Sequence, residues 1–283
     1  MKAFLLLIAL CWQSFAACVP PPNTYDSDAR GYEATIRGQG GSLASATYID
    51  VTRFARLAKQ WGLRERIVRL NLYCGNDTNG CKVVLFGEAV GGTTDTISSF
   101  VAADYSESTG LTGDTTTKQL VVGGSMQFAS NPPFTSRNDL HFAVYNRTDG
   151  TSPGYVIGTQ DGSTQVAMLL KYTDNNTYLR MGNLATFVQT NETSVLGWYM
   201  GVRTSDSSCD FYHNGVLMAN YSPGSSALPS LAINVHAANV SGVPARSART
   251  LAGYSLGYSM TSTQVANYYL LMQWFQKARG RGV

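Results

Sequence analysis

The alternation of apolar and polar positions is clearest between residues 195 and 222. There Trp198, Met200 and Val202 repeat with period two, as in a strand with one buried face. Asp206-Ser207-Ser208 supplies turn chemistry, and residues 209–212 and 216–221 flank Asn214-Gly215. A type I′ turn needs positive φ at both central positions, so Asn-Gly between two apolar runs predicts a tight antiparallel hairpin.

The same texture runs from residue 67 onward. Strands are expected at 68–74, 82–86, 97–105, 119–122, 139–146, 154–158, 166–171, 177–181, 185–189, 230–236 and 251–259. In residues 139–146 both faces are largely apolar, which marks a central strand covered on two sides. Asp161-Gly162 and Asp174-Asn175-Asn176 read as turns between strands. Turn signals roughly every 8–12 residues favour an all-β sandwich over alternating strands and helices.

Helical spacing is confined to two places. Val51, Phe54, Ala55, Leu57, Ala58 and Trp61 follow Asp50 as an N-cap and precede Gly62, predicting a helix over 51–61. Thr261-Ser262-Thr263-Gln264 is a capping box ahead of Val265, Tyr268, Tyr269, Met272 and Phe275, predicting a second helix over 262–279. Lys277, Arg279 and Arg281 fall at its negative C-terminal end. Residues 18–49, proline-rich at 18–23 and broken by Gly38-Gln39-Gly40-Gly41, read as an extended N-terminal segment before a single domain over 50–283.

Charge narrows the function classes. Only 14% of the 283 residues are charged and the formal net charge is +3, so electrostatic nucleic-acid binding is not expected. Residues 1–17 carry one basic residue, an apolar run from Ala3 to Trp12, then Ser14 and Ala16 at the small cleavage positions: a secretory signal peptide, too short for a transmembrane span. Secretion is the expectation. Phe15-Ala16-Ala17-Cys18 offers an alternative, a lipid anchor on Cys18 that holds the protein at the cell surface or outer membrane.

Of five cysteines, Cys11 belongs to the signal. Cys74 and Cys81 bracket a short polar turn and are expected to form a disulfide in an oxidising compartment. Cys18 and Cys209 either pair or leave Cys209 as a buried thiol.

Several of these residues resemble a known superfamily. Asp210-Phe211-Tyr212-His213-Asn214-Gly215-Val216-Leu217 looks like the hairpin of laminin-G-like and concanavalin A-like jelly rolls. Leu251-Ala252-Gly253-Tyr254-Ser255-Leu256-Gly257, then Met260-Thr261 and a helix, resembles their closing strand. Residues 54–122, with Arg69-Leu70-Asn71-Leu72-Tyr73-Cys74-Gly75 at their centre, are similar to uncharacterised concanavalin A-like proteins of phage virions and environmental bacteria. The resemblance implies a concanavalin A-like antiparallel β-sandwich with an N-terminal and a C-terminal helix. That fold hosts lectins, hydrolases and structural modules, so function has to be read from site chemistry.

The hydrolases of the superfamily place clustered carboxylates on one strand, as glycoside hydrolysis requires. Here Glu33, Glu65, Glu88, Glu107 and Glu192 are isolated from one another and no strand offers two carboxylates on one face, so no enzyme is expected. His141 reads as a core histidine and His213 as a turn residue beside Asn214. No Gly-x-Ser-x-Gly elbow supports a Ser–His–Asp site. Asp161, Asp174 and Asn176 are the candidate calcium ligands, oxygen donors in loops. Tyr172, Tyr178 and Asn175 are the candidate ligand contacts, with Trp198 assigned to the core. The leading expectation is a secreted, non-catalytic adhesion module recognising glycan. The alternatives are a structural subunit of a virion or filament that binds copies of itself and, third, a glycoside hydrolase.

Overall fold

The structure, a computed structural model, describes residues 26–87, 92–129, 134 and 136–283. The expected signal peptide, the proline-rich stretch, Cys18 and Glu88 lie outside these residues. The chain runs α1 (Ser27–Gly38), α2 (Ser45–Gln60), β1 (Ile67–Asn71), α3 (Thr78–Cys81), β2 (Thr96–Ser98), β3 (Tyr105–Ser106), β4 (Gly110–Thr112), β5 (Gln119–Val121), β6 (Leu140–Asn146), β7 (Ile157–Asp161), β8 (Thr164–Leu169) and β9 (Asn176–Asn183). It continues through β10 (Val188–Asn191), β11 (Gly197–Ser205), β12 (Ser208–His213), β13 (Val216–Tyr221), β14 (Asn234–Val235), β15 (Ala237–Val240), β16 (Val243–Arg246), β17 (Thr250–Gly257) and α4 (Ser262–Ala278).

Two sheets result. One has eight strands, ordered β13-β12-β11-β6-β17-β4-β3 with β1 also on β17; the other has nine, ordered β10-β9-β8-β7-β14-β5-β2 and extended by the β15–β16 hairpin. Apart from β15 beside β7, the paired strands are antiparallel. The chain is an all-β sandwich, as the turn spacing predicts. The β11–β13 meander also forms as read, with Asn214 at φ +52° and Gly215 at φ +76° in its turn.

Two cores divide the molecule. Phe142 and Val144 of β6 and Tyr199 of β11 pack with Val166, Met168, Leu179 and Val235 between the sheets. Ala143, Tyr145, Trp198, Met200 and Val202, on the opposite face of the same strands, pack with Ala29, Tyr32, Phe54, Tyr268 and Phe275 of the helices. Every residue of β6 is consequently buried, and Trp198 sits edge-on to Tyr268 with ring centroids 5.3 Å apart. The eight-stranded sheet is thus the middle layer of three.

The helices depart from expectation at the N-terminal side. Residues 27–38, read as extended, form α1. Asp26 caps it by accepting from the Asp28 and Ala29 N–H groups at 2.9 and 3.3 Å. Ala29, Tyr32 and Ile36 give it a buried stripe at helical spacing, short enough to be hidden among polar neighbours. Helix α2 starts at Ser45, six residues before the predicted 51, because Asp50 is not its cap but an internal residue paired with Arg279. At α4 the capping box forms as predicted, Gln264 N–H donating to Thr261 Oγ1 at 3.3 Å and Thr261 N–H to Gln264 Oε1 at 3.0 Å.

The expected Cys74–Cys81 bridge is absent, and both are separate buried thiols. The intervening residues wind into α3, where Gly80 N–H donates to Asp77 Oδ1 at 2.8 Å. This turns the sulfurs into different layers: Cys74 joins the helix-side core and Cys81 the inter-sheet core. Burial pushes the Cys74 thiol up to about 11. Cys209 is likewise a buried thiol, its sulfur 3.3 Å from Met181 Sδ.

Cross-links come instead from buried polar groups. The side chains of Arg69 on β1 and Asp95 just before β2 are both fully buried, Arg69 Nη2 and Nε donating to Asp95 Oδ1 at 2.7 and 3.0 Å. Asn71, the Gly123 N–H and the Tyr254 hydroxyl complete the shell of that carboxylate. His141 is bonded on both ring nitrogens, Nδ1 at 2.6 Å from the Tyr258 carbonyl and Nε2 at 3.0 Å from Ser255 Oγ. Burial holds the His141 ring down to about 4, and that of His236, packed against Tyr73 and Phe100, down to about 3.

Two outcomes follow for stability. Asp95→Ala removes the carboxylate that Arg69, Asn71, Tyr254 and the Gly123 N–H share in the interior and should lower unfolding free energy by about 3–5 kcal/mol in urea titrations. Because His141 and His236 stay neutral when folded but protonate near pH ~6.5 when unfolded, the unfolded chain takes up protons first as pH falls. The contribution of these two rings is therefore constant above pH ~6.5 and declines towards pH ~4, by up to ~1.4 kcal/mol per pH unit for each ring. His141→Gln should halve that slope in denaturation curves collected between pH ~6.5 and ~5.

Candidate functional site

Helices occupy the outer face of the eight-stranded sheet, and the nine-stranded sheet turns its second face away from the inter-sheet core. Cross-strand partners share a face. The pairs Gln189↔Tyr178, Tyr178↔Leu169, Arg180↔Ala167, Ala167↔Gly158, Gly158↔Asn234 and Asn234↔Val121 therefore share one face from β10 to β5, buried at Leu169, Ala167, Gly158 and Asn234 and exposed towards β10. Gln165 lies on it, two residues before Ala167. The intervening residues Val166, Met168, Leu179 and Leu120 point the other way into the inter-sheet core.

At the β9–β10 end this surface concentrates aromatic and donor groups. The Tyr178 and Phe187 rings are tilted against each other with centroids 5.6 Å apart, and the Arg180 guanidinium stacks 4.9 Å from the Phe187 centroid. Phe187 is 42% exposed, unusual for a phenylalanine in a well-packed sandwich. Arg180 Nη1 donates to Gln165 Oε1 at 2.9 Å and lies 3.5 Å from the Tyr155 hydroxyl. Gln165 is fully buried, yet its Nε2 has no hydrogen-bond partner among the described residues; the same holds for Arg180 Nε and, further along the face, Asn234 Oδ1 and Gln119 Oε1. Beside Arg180 the register places only Ala167 and Gly158, and a Cβ at Gly158 would lie 2.4 Å from that of Ala167. The exposed part of this cluster is the Phe187 ring with the half-buried Tyr178 and Arg180 beside it, while Gln165, Ala167 and Gly158 are buried.

The residues expected to bind distribute as follows. Tyr178 belongs to the aromatic cluster. Tyr172 and Asn175 sit in the β8–β9 turn, where Asn175 takes φ +66° and the Tyr172 N–H donates to the Asn176 carbonyl at 2.7 Å. Asp174 is consumed by that turn: its Oδ1 accepts from the Asn176 N–H at 2.9 Å and its Oδ2 from the Tyr178 hydroxyl, bonds that hold its carboxyl below the usual range. Asp161 lies in the β7–β8 turn at the far end of β8, its carboxylate bonded by the Ser230 hydroxyl. The six residues of β8 put roughly 20 Å between the two carboxylates. Asp161, Asp174 and Asn176 thus do not converge on one ion and do not fit the expected calcium site. Among the described residues, no group of three or more His, Cys, Asp and Glu side chains could hold a metal.

A second cluster was not visible in the sequence. His213, read as a turn residue, instead reaches Glu192: Nδ1 lies 2.6 Å from Oε2, while Nε2 lies 2.8 Å from the Leu196 carbonyl. The His213 ring stacks on Tyr199 at 4.1 Å, and the Tyr199 hydroxyl donates to the same Glu192 oxygen at 2.7 Å. Burial opposes ionisation of Glu192, but hydrogen bonds from His213, Tyr199 and Thr190 outweigh it and hold the carboxyl below its ordinary range. With both imidazole nitrogens on acceptors and the carboxylate bonded three times, this group clasps the β10 edge to β11 and β12.

Sequence reasoning missed Phe187, Arg180, Gln165 and Tyr155. A signal existed for Arg180, since period two in residues 177–181 puts it on the same face as Tyr178. Burial of Gln165 and exposure of Phe187 follow from sheet order, which no local pattern encodes.

No helix of the described residues is long and apolar enough to cross a membrane. No family model matches the chain, and no curated protein matches it. Solved structures similar to it include domain 4 of a GH43 extracellular arabinanase from Geobacillus stearothermophilus in complex with arabinotriose, 12% identical with a TM-score of 0.44 over 71% of this chain and 97% of that one. A mutant Trypanosoma rangeli sialidase displaying trans-sialidase activity is 13% identical, with a TM-score of 0.48 over 81% of this chain and 39% of its own. The receptor binding domain of botulinum neurotoxin C/D mosaic serotype is 8% identical, with a TM-score of 0.46 over 73% of this chain and 51% of its own.

Proposed function

We propose that this chain is a secreted, concanavalin A-like, non-catalytic module that binds glycan on the outer face of the nine-stranded sheet. The observation that carries this reading is the Tyr178–Phe187–Arg180 cluster, with the Phe187 ring exposed. A sugar ring offers an apolar face of C–H groups and an edge of hydroxyls. The Phe187 and Tyr178 rings complement the first and the half-buried Arg180 guanidinium the second. The disposition of the carboxylates supports a binding rather than catalytic role. Glu192 and Asp95 are saturated by structural partners, and Asp161 and Asp174 stand at opposite ends of one strand. The low charge and the signal-like residues 1–17 support an extracellular destination.

A second reading has its own observation. Val216, Leu217 and Met218 on the sheet-edge strand β13 are 62, 52 and 39% exposed, which favours self-association as in a filament or virion subunit.

On a glycan array and in calorimetry the mature chain should bind a defined saccharide. Tyr178→Ala and Phe187→Ala should each weaken that binding about tenfold, ~1.4 kcal/mol, with unchanged melting temperature. Absence of any saccharide ligand would sink the glycan reading. Sedimentation at high concentration addresses the second: concentration-dependent oligomers that Leu217→Lys dissolves are expected if β13 is an interface, and a monomer at every concentration removes it.

A further inference from the structure

The exposed side chains of the β10 edge narrow the shape of saccharide that fits, an inference that rests on the glycan-binding reading above. β10 ends the nine-stranded sheet, and its pairing with β9 sets three rungs on one face. Gln189 stands opposite Tyr178, and Asn191 opposite Asn176. Phe187, two residues before Gln189, continues the alternation and meets Arg180. Val188 and Leu179, between the rungs, point into the inter-sheet core. Phe187, Gln189 and Asn191 are exposed, and Arg180, Tyr178 and Asn176 are half-buried, so solvent reaches the row along its whole length. On β8, Ala167 and Leu169 of the same face are buried. The accessible part is therefore a strip that runs with the strands rather than across them.

The chemistry changes along this strip. The first rung is an aromatic ring over a guanidinium, the second an aromatic ring beside an amide, the third a pair of amides with Asn191 Nδ2 3.5 Å from Asn176 Oδ1. From Phe187 to Asn191 the strand covers roughly 13 Å, longer than one sugar ring. The Phe187 and Tyr178 rings stand 5.6 Å apart with their planes inclined at 57°. Sugar rings laid on both would be neighbours in a chain, with their mean planes turned against each other. A flat ribbon, whose successive rings are coplanar, can lie on one of these aromatic rings and not on the other.

We propose that the β9–β10 strip takes a linear, twisted saccharide chain lengthwise. Two successive sugar rings lie on Phe187 and Tyr178, and the hydroxyls that follow bond the Gln189, Asn191 and Asn176 amides. A single sugar fills one rung only, and the flat face of a crystalline polysaccharide does not match the inclined rings.

Calorimetry with laminari-, xylo- and manno-oligosaccharides of one to six units tests this, beside pull-down on microcrystalline cellulose and chitin. Affinity in at least one series should rise about tenfold or more from the single sugar and level off near three units, with no retention on either solid. Asn191→Ala should weaken the longer members about three- to tenfold and leave the shortest unchanged, since only a chain reaches the third rung. Phe187→Ala should weaken every length. A single sugar that binds as tightly as its hexamer overturns the lengthwise chain, and retention on cellulose or chitin overturns the twist. Length dependence that Asn191→Ala leaves intact overturns the assignment to this strip. No binding in any series overturns the inference, while the glycan array decides the glycan reading separately. The wild-type series needs no variant to fold.

Discussion

Burial of the eight-stranded sheet on both faces is the constraint on which the rest of this structure depends. β6 has no solvent side: Phe142 and Val144 face the second sheet, Ala143 and Tyr145 face the helices. Any polar group on that layer has to find its partner inside the protein. His141 does so through Tyr258 and Ser255, and Asn146 through the carbonyls of Thr148 and Val195 at 2.8 and 2.6 Å. The same constraint decides where a ligand can sit. With helices over one sheet, only the other retains an outer surface, and the aromatic cluster is found there.

Buried arginines do the cross-linking that the cysteines do not. Arg69 and Asn71 of β1, Asp95 before β2 and Tyr254 of β17 meet at one carboxylate, so a single shell joins strands of both sheets. Arg249 donates to the carbonyls of Thr148, Gly150 and Leu170 at 2.6 to 2.7 Å, and Arg281 to those of Tyr73 and Leu72. Each guanidinium satisfies several loop carbonyls that would otherwise be buried without donors. Such bonds are directional, so they fix the spacing of loops as well as their stability. They also withstand reduction, unlike a disulfide.

The pattern of the chain made the sandwich legible because its signals are local. Period two in β11, Asn214-Gly215 in the next turn, both-face apolarity in β6 and the capping box of α4 each stand in a few consecutive residues. What stayed hidden depends on contacts distant in sequence. Asp50 has the composition of a helix cap but serves Arg279, and α1 carries too few apolar residues to announce itself. Cys74 and Cys81 have the spacing of a bridged loop, yet α3 turns them into separate cores. In the site, Tyr178 was found because it is aromatic and near a turn. Phe187, Arg180 and Gln165 became visible only once sheet order placed three strands side by side. Asp161 and Asp174 failed as a pair for the converse reason: both are turn residues, but the turns are at opposite ends of β8.

The place of β17 has a consequence for how the molecule is assembled. β17 lies between β6 on one side and β1 and β4 on the other, although it follows β6 by more than a hundred residues. During synthesis β6 can pair with β11 and Leu70 of β1 with Phe86, while the edges that β17 will join stay open. That half-built sheet exposes an apolar edge until residues 250–257 emerge, and high contact order of this kind makes closure slow. Closure of the sheet therefore waits for residues 250–257, and with it the joining of β1 and β4 to β6.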